Sequence, residues 1–206
     1  RDAANGASGL GLGLAASHGD STGAAVLPRY RTPGQVQFFG YRSAAVAEGT
    51  RSRLSPQATY YRGPFGLLAE YVESTQDVRS GTARAELDHR AWQLAASWVL
   101  TGEDATYRGV VRPDQPLTGG GGGFGAVEVA ARIGALEIDE DAFPLFADPA
   151  ASARRTRAWT LGVNWYLTQN LKLVANYTQA SFEGGAPGGA DREDEKTLFT
   201  RAQLSF

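Results

Sequence analysis

Hydrophobic and polar residues alternate along most of this chain with a period of two. In the segment 159–167, large apolar side chains occupy the odd positions, and Thr, Gly, Asn and Tyr occupy the even positions. A β-strand places two such sets on opposite faces. The segment 91–101 repeats the design, with its tryptophans and leucines at even positions. Both patterns predict strands with one apolar face each.

Six other segments show the same alternation, and one further segment shows it weakly. The six are 10–16, 54–60, 65–71, 127–133, 171–177 and 198–206, and the weaker candidate is 35–41. Helical periodicity is not convincing anywhere in the chain. The sequence therefore predicts an all-β protein with about nine strands.

The predicted connections differ in length between the two ends of the strands. Tight turns fall at 62–64 and 168–170, whereas long polar loops fall at 76–88, 139–156 and 183–196. Short turns on one side and long loops on the other are typical of an outer-membrane barrel. The connections at 19–34 and 102–123 are both long, so the sequence does not assign them to a side. The glycine run 119–123 is followed by Phe124 rather than Lys and Ser or Thr, which favours a linker over a phosphate-binding loop.

The tryptophans favour a membrane barrel over a soluble sandwich, which alternates in the same way. All four lie on the apolar faces, as the pairs Trp92/Trp98 and Trp159/Trp165. Six residues span roughly 20 Å of strand, or roughly 15 Å along the membrane normal at a tilt of about 40°. We expect these residues to form a lipid-facing aromatic girdle. Tryptophans in the core of a sandwich are the alternative.

The polar faces carry mainly small uncharged residues, whereas soluble strands would carry more Lys and Glu. The few charged residues at these positions suit the wall of a water-filled lumen, where the cations would attract anions. In the alternative interpretation, the cations pair with the two glutamates and hold the wall together. The pore-lining candidates are Arg53, Glu70, Glu128, Arg132, Lys172 and Arg201.

The last residue, Phe206, shares the parity of Leu204 on the apolar face. A final strand that ends in an aromatic residue is the usual signal for outer-membrane assembly, so we expect Phe206 to serve as that signal.

The chain contains no run of about 18 apolar residues, so it has no candidate transmembrane helix. Methionine is absent even at position 1, so we expect a processed chain or part of a longer one, with any signal peptide removed.

Composition excludes several kinds of chemistry. The 206 residues include 20 basic and 22 acidic side chains, a balance that argues against a nucleic-acid partner. The absence of Cys excludes disulfides, thiolate metal sites and cysteine nucleophiles. His18 and His89, the only histidines, are expected to be solvated at strand or loop ends, so we predict neither an enzyme nor a cofactor. Asp139 and Asp141, in an acidic cluster, are weak candidates for calcium ligands, with a solvated loop as the alternative.

Several segments together resemble the phosphate-selective porin O/P family. The likeness keeps its order over nearly the whole chain. It includes LP at 27–28, YRTPGQ at 30–35, RLSPQ at 53–57, YYRGPFGLL at 60–68, AWQLAAS at 91–97, LTGEDA at 100–105 and IDEDAF at 138–143.

The resemblance implies a Gram-negative outer-membrane protein that passively passes small anions such as phosphate. Members are trimeric transmembrane β-barrels of sixteen strands, so residues 1–206 resemble a carboxyl-terminal half and form a single barrel region without a separate soluble domain. The family's constriction loop belongs to the amino-terminal half, and no position here matches it. Expected partners are outer-membrane lipid, small anionic solutes and two further copies of the chain. A non-conducting structural or adhesive β-domain that binds a partner through its loops is the alternative.

Overall fold

A computed structural model of the chain describes residues 9–106, 111–118 and 121–205. Regular structure within these ranges consists of ten β-strands and three short 3-10 turns, which confirms the all-β prediction. The strands are β1 (Gly9–Gly23), β2 (Tyr30–Arg31), β3 (Gln37–Phe39), β4 (Ala45–Arg62), β5 (Phe65–Ser80), β6 (Ala83–Val99), β7 (Ala126–Glu137), β8 (Ala153–Tyr166), β9 (Leu171–Gly184) and β10 (Glu195–Leu204). No helix among the described residues has the length and hydropathy needed to cross a bilayer.

The eight long strands form one antiparallel sheet in the order β1-β4-β5-β6-β7-β8-β9-β10. This is the antiparallel sheet that the alternation predicted. Strands β1 and β10 lie at its two edges and do not pair with each other, so the sheet is open. The weakly alternating segment 35–41 contributes only β3, which pairs with β2 in a separate two-stranded sheet.

The strand register keeps the apolar sets on one face of the sheet. Trp98 pairs with Val129, Val129 with Val163, and Val163 with Ala175, so the same parity continues across four strands. We call the face that carries the tryptophans the apolar face and the opposite one the polar face. The polar face also bears apolar side chains, among them Leu68, Val72, Leu136, Val174 and Phe199. Near the loop end, Val78, Leu87 and Phe182 of this face form a buried cluster with Phe38 and Phe39.

The connections separate into a turn end and a loop end. Residues 63–64 and 167–170 lie at the turn end, and residues 138–152 and 185–194 lie at the loop end. The structure also assigns the two long connections, 19–34 and 102–123, whose side the sequence did not indicate. The segment between β1 and β4 is at the loop end, and the segment between β6 and β7 is at the turn end.

The predicted long loop at 76–88 is wrong. Strand β5 continues to Ser80 and β6 begins at Ala83, so only a two-residue turn joins them. Polar side chains stabilise this extension, because Thr75 donates to Asp88 at 2.6 Å and Arg79 pairs with Glu48. The strands therefore extend past the apolar part of the sheet, where hydropathy no longer alternates and the sequence suggests a loop.

A row of alternating charges marks the limit of the apolar face toward the loop end. It crosses β5 to β9 as Glu73, Arg90, Glu137, Arg155 and Glu183, each paired in register with the next. Arg155 is 2.7 Å from Glu137 and 3.0 Å from Glu183. Opposite charges on directly facing residues stabilise strand pairing.

Candidate lumenal site on the polar face

All six charged candidates lie on the polar face of the sheet. The register pairs Glu70 with Gln93, Glu128 with Asn164, and Arg132 with Thr160, all opposite in parity to the tryptophans. Arg53, Lys172 and Arg201 have the same orientation, and their register partners are Ser74, Gln203 and Val174 respectively. The strand parity read from the sequence thus places these six side chains on one surface.

Glu128 is buried and bound by hydrogen bonds. Its Oε2 accepts from Asn164 Nδ2 at 2.8 Å and from the Tyr166 hydroxyl at 2.8 Å. The Lys172 ammonium lies 3.3 Å from the same hydroxyl and 4.6 Å from the centre of the Tyr166 ring. Lys172, Tyr166 and Glu128 are therefore linked by two successive hydrogen bonds, and the positive charge of the lysine partly offsets the negative charge of the glutamate.

The three arginines are exposed and stand apart from the glutamates. Within residues 9–106, 111–118 and 121–205, Arg53, Arg132 and Arg201 make no hydrogen bond or ion pair. Glu70 is held by neutral groups instead, accepting from Ser55 Oγ at 3.3 Å and from Gln93 Nε2 at 2.7 Å. Among the described residues, these arginines therefore do not form the ion pairs with Glu70 and Glu128 that would give them a structural role in the wall.

Residues 27–43, which we call the strap, cross the polar face near the loop end. Phe38 packs on Phe182 of β9 with ring centres 6.2 Å apart, and Tyr30 stacks on Phe39 at 5.7 Å. Gly34 lies so close to β10 that a Cβ there would overlap the Glu195 carboxylate. The strap starts from β1, reaches β9 and β10, and returns to β4.

Hydrogen bonds fix the strap to two distant loops. Gly40 and Ser152 exchange two bonds, with the Gly40 N–H donating at 3.3 Å and the Ser152 hydroxyl donating back to Gly40 O at 3.0 Å. Arg42 donates through Nε to Pro144 O at 2.9 Å. Arg192, in the loop after β9, donates to Gln37 O at 3.1 Å. These bonds hold the strap on the polar face.

His89 links the wall to the strap and is not the solvated histidine that the sequence suggested. It is 4% exposed, its Nε2 lies 2.6 Å from the Tyr41 hydroxyl, and its Nδ1 accepts from the Asp139 N–H at 3.2 Å. The expectation failed because β6 starts earlier than predicted and the strap covers this position. Burial raises the pKa of Tyr41, with Tyr30 and Asp139 adding to the effect and Arg51 opposing it. His18, by contrast, is exposed and bonds Ser52 at 2.9 Å.

A cavity of about 330 Å³ separates the turn of the strap from the wall. The strap contributes Arg31 and Thr32, and the wall contributes Glu70, Gln93, Arg132 and Thr156. Thr32 is 2% exposed and closes the turn, because its Oγ1 accepts the Val36 N–H at 3.2 Å. Arg31, Arg132 and Glu70 therefore all border the same space.

A family model for phosphate-selective porin O and P matches residues 5–206 of the chain. The chain belongs to this family. Porin O of Pseudomonas aeruginosa is 25% identical over 159 residues, which make up 73% of this chain and 34% of that relative. The match thus spans about a third of the relative's length. Family membership makes the chain a bacterial outer-membrane protein and confirms the resemblance read from the sequence.

The tryptophans of this porin-family chain lie on the apolar face. Trp92, Trp98 and Trp159 are 44%, 47% and 39% exposed, and the half-buried Trp165 donates through Nε1 to Phe124 O at 2.8 Å. The described residues place no second sheet over this face. The sandwich alternative, with tryptophans between two sheets, is therefore wrong.

The acidic cluster proposed for calcium is engaged in backbone contacts. The Asp139 carboxylate accepts the Asp88 N–H at 2.7 Å and the Asp141 N–H at 2.9 Å, which caps a short 3-10 turn. No group of three or more metal-ligating side chains converges in the part of the chain that the structure describes. Phe206 and the first two glycines of the run at 119–123 lie outside the described residues.

Sequence reasoning missed the strap and the residues that it brings to the wall. Arg31 and Tyr41 act over long sequence separations, which alternation does not report. One local signal did exist, because Thr32-Pro33-Gly34 is a turn sequence inside a long connection and is followed by the adjacent aromatic pair Phe38-Phe39.

Proposed function

We propose that this chain forms part of the wall of a passive outer-membrane channel for small hydrophilic solutes, with anions such as phosphate favoured. One observation carries the proposal. Arg53, Arg132 and Arg201 are exposed on the polar face and have no partner among the described residues. Unpaired cations on the wall of a narrow aqueous passage focus the field and raise the local concentration of anions.

The glutamates of the polar face oppose this effect only in part. Glu128 is buried and accepts hydrogen bonds from Asn164 and Tyr166. Tyr166 in turn accepts a hydrogen bond from Lys172, which brings a positive charge near the glutamate. Glu70 remains as a carboxylate in the cavity between the strap and the wall. The exposed side chains among the six candidates are the three arginines, so the net charge that they present to solvent is positive. Passive passage of a solute through such a channel requires neither a cofactor nor a chemical step.

The wall requires further strands to close. Among the described residues, β1 and β10 each have one edge that pairs with no other strand, and lipid does not tolerate unpaired backbone donors and acceptors. We propose that residues 1–206 form a single region, equivalent to a carboxyl-terminal half, in a barrel of sixteen strands that assembles as a homotrimer. Trp92, Trp98, Trp159 and Trp165 would face lipid as its aromatic girdle, and Phe206 would serve as the assembly signal.

Single-channel recording tests the proposal. The protein reconstituted in a planar bilayer should give discrete conductance steps and a reversal potential that indicates anion preference in a salt gradient. A protein that folds in lipid but gives no steps would refute the channel and favour the alternative, a non-conducting structural or adhesive domain.

The variant Arg132→Ala/Arg201→Ala tests whether the unpaired arginines set the preference. Its reversal potential should shift toward cations, and the shift should shrink as salt rises, because exposed charges are screened beyond about 8 Å at physiological ionic strength. The matched control is Arg84→Ala/Arg90→Ala, which removes two charges from the opposite face of β6. If both double variants leave the reversal potential unchanged, the polar-face arginines do not set selectivity.

A further inference from the structure

A level of residues on the apolar face lies next to the row of alternating charges, on its turn-end side. It crosses β5 to β9 as Tyr71, Trp92, Ala135, Arg157 and Ser181, each paired in register with the next. The following level toward the turn end is mainly apolar and includes Leu94, Ile133 and Trp159. Tyrosine and tryptophan concentrate where a membrane meets water. Arg157, the one charged residue among these five described positions, therefore lies at the level of the lipid headgroups.

Arg157 is exposed and only loosely held. Its side chain is 63% exposed, and its Nη2 lies 3.5 Å from Glu183 Oε1. In the part of the chain that the structure describes, Arg157 donates no hydrogen bond. The same Glu183 oxygen accepts from Arg155 at 3.0 Å, and Arg155 also pairs with Glu137 at 2.7 Å. Because Arg155 engages both glutamates, the N–H donors of Arg157 remain available to a ligand.

Space and a second polar group lie beside this guanidinium. Ala135 stands between Arg157 and Trp92 in register, so only a methyl group occupies the gap of roughly 10 Å between β6 and β8. On the other side, the exposed Ser181 directly faces Arg157 across the pair β8–β9, where opposite Cβ atoms are about 5 Å apart. The Arg157 guanidinium, the Ser181 hydroxyl and the Trp92 ring thus border one stretch of the apolar face.

The phosphate group of a lipid matches these side chains. A guanidinium forms paired, charge-assisted hydrogen bonds with phosphate oxygens, and a serine hydroxyl supplies one further donor. An arginine on the lipid-facing side of a barrel is costly at the bilayer midplane and much less so near the interface. At the interface, anionic headgroups attract basic side chains.

We infer that Arg157 and Ser181 bind the phosphate group of a lipid headgroup on the outside of the barrel, with the Trp92 ring beside the lipid backbone. The long loops of an outer-membrane barrel face the cell exterior, so the lipid belongs to the outer leaflet. The inference rests on the lipid-facing orientation proposed above, but it does not depend on conduction. It assigns a ligand to a surface that solutes in the lumen do not reach.

Two lipids that differ only in the phosphate group test the inference. The protein, folded in micelles of a neutral detergent, is titrated with phosphatidic acid or with diacylglycerol of the same acyl chains. Native mass spectrometry measures the two dissociation constants. The wild-type protein should bind phosphatidic acid about tenfold more tightly, a ratio that charge-assisted hydrogen bonds readily supply. A ratio near one overturns the inference.

The variant Arg157→Gln removes the charge and the paired donors. The ratio of the two dissociation constants should fall about fivefold or more, whereas Arg157→Lys should give an intermediate ratio, because lysine keeps the charge without the planar pair of donors. An unchanged ratio in Arg157→Gln would mean that this side chain extends into water, and it would overturn the site.

The matched control is Arg84→Gln on the same face of the sheet. The Arg84 side chain is 67% exposed, but it lies farther toward the loop end and donates to Glu48 at 2.8 Å. This variant should keep the wild-type ratio. A fall as large as that in Arg157→Gln would indicate general attraction between opposite charges and would overturn the site.

Inorganic phosphate distinguishes a lipid site from a site for free anions. Millimolar inorganic phosphate should leave phosphatidic acid bound, because the free anion has no acyl chains to bury against the apolar face. Complete displacement would overturn the lipid assignment. A conducting channel without the preference for phosphatidic acid overturns this site alone, whereas the preference in a folded protein that does not conduct supports the site and overturns the proposed channel.

Discussion

The Tyr41 hydroxyl and the His89 imidazole lie 2.6 Å apart and join the strap to the half of β6 nearer the loop end. The other ring nitrogen of His89 accepts the Asp139 N–H, so Nε2 carries the proton and donates to the tyrosine oxygen. One buried imidazole therefore connects a segment near the start of the chain to the loop between β7 and β8.

Replacing Tyr41 with Phe should destabilise the folded protein. The change leaves the buried Nε2–H of His89 without an acceptor, which costs about 1–3 kcal/mol of unfolding free energy. Urea unfolding in lipid, followed by tryptophan fluorescence, measures the difference. The matched control is Tyr71→Phe, which removes a part-buried hydrogen bond of 3.1 Å to Glu73 but leaves no buried donor without an acceptor, so it should cost less than about 1 kcal/mol. Equal losses in the two variants would show that the Tyr41 bond has no special role.

Alkaline pH should release the strap through Tyr41. Burial is the largest cause of its raised pKa, so the folded state favours neutral tyrosine more strongly than the unfolded state does. The corresponding stability is fully present below the unfolded pKa of about 10 and is lost as pH rises through the folded-state value. Stability measured against pH should therefore decline above about pH 10, and the decline should be shallower in Tyr41→Phe. Identical profiles for wild type and variant would contradict this assignment.

Adding a methyl group at Gly34 should loosen the contact between the strap and β10. The new Cβ would overlap the ends of the Glu195 and Thr197 side chains, which can shift, so Gly34→Ala should cost at most about 1 kcal/mol of unfolding free energy. Gly19→Ala is the control, because a Cβ at that position has no neighbour within 4 Å. Protease cleavage within residues 27–43 should be faster in Gly34→Ala alone. If both variants resist cleavage equally, the close approach of the strap to β10 is not required for its position.

A charge on the apolar face should impair insertion in lipid. Val163 is 44% exposed and lies in register between Val129 and Ala175, so Val163→Arg should cost about 2–4 kcal/mol if the site is near the bilayer midplane. Ala130→Arg is the matched control, since Ala130 neighbours this site on the polar face. Folding yield in lipid vesicles measures both changes. Equal yields for Val163→Arg and wild type would count against the orientation of the sheet.

The sequence predicted the wall well, because strand parity is local information. Trp159 and Val163 are four residues apart in one strand, so they lie on the same face regardless of how distant segments fold. It could not predict the contacts of Tyr41 with His89 or of Gly40 with Ser152, which depend on how distant segments meet. It also missed the extension of β5 and β6, where pairing between polar groups such as Thr75 and Asp88 replaces hydrophobic alternation.

The central claim is that the polar face lines water and the apolar face contacts lipid. The natural absence of Cys allows single cysteines to be placed at consecutive positions of β8, at Thr160, Leu161, Gly162 and Val163. In the reconstituted protein, a charged water-soluble thiol reagent should react at positions 160 and 162 and change the channel conductance in steps, while positions 161 and 163 should remain unmodified. Reaction at 161 and 163 with protection at 160 and 162, or equal reaction at all four positions, would contradict the account.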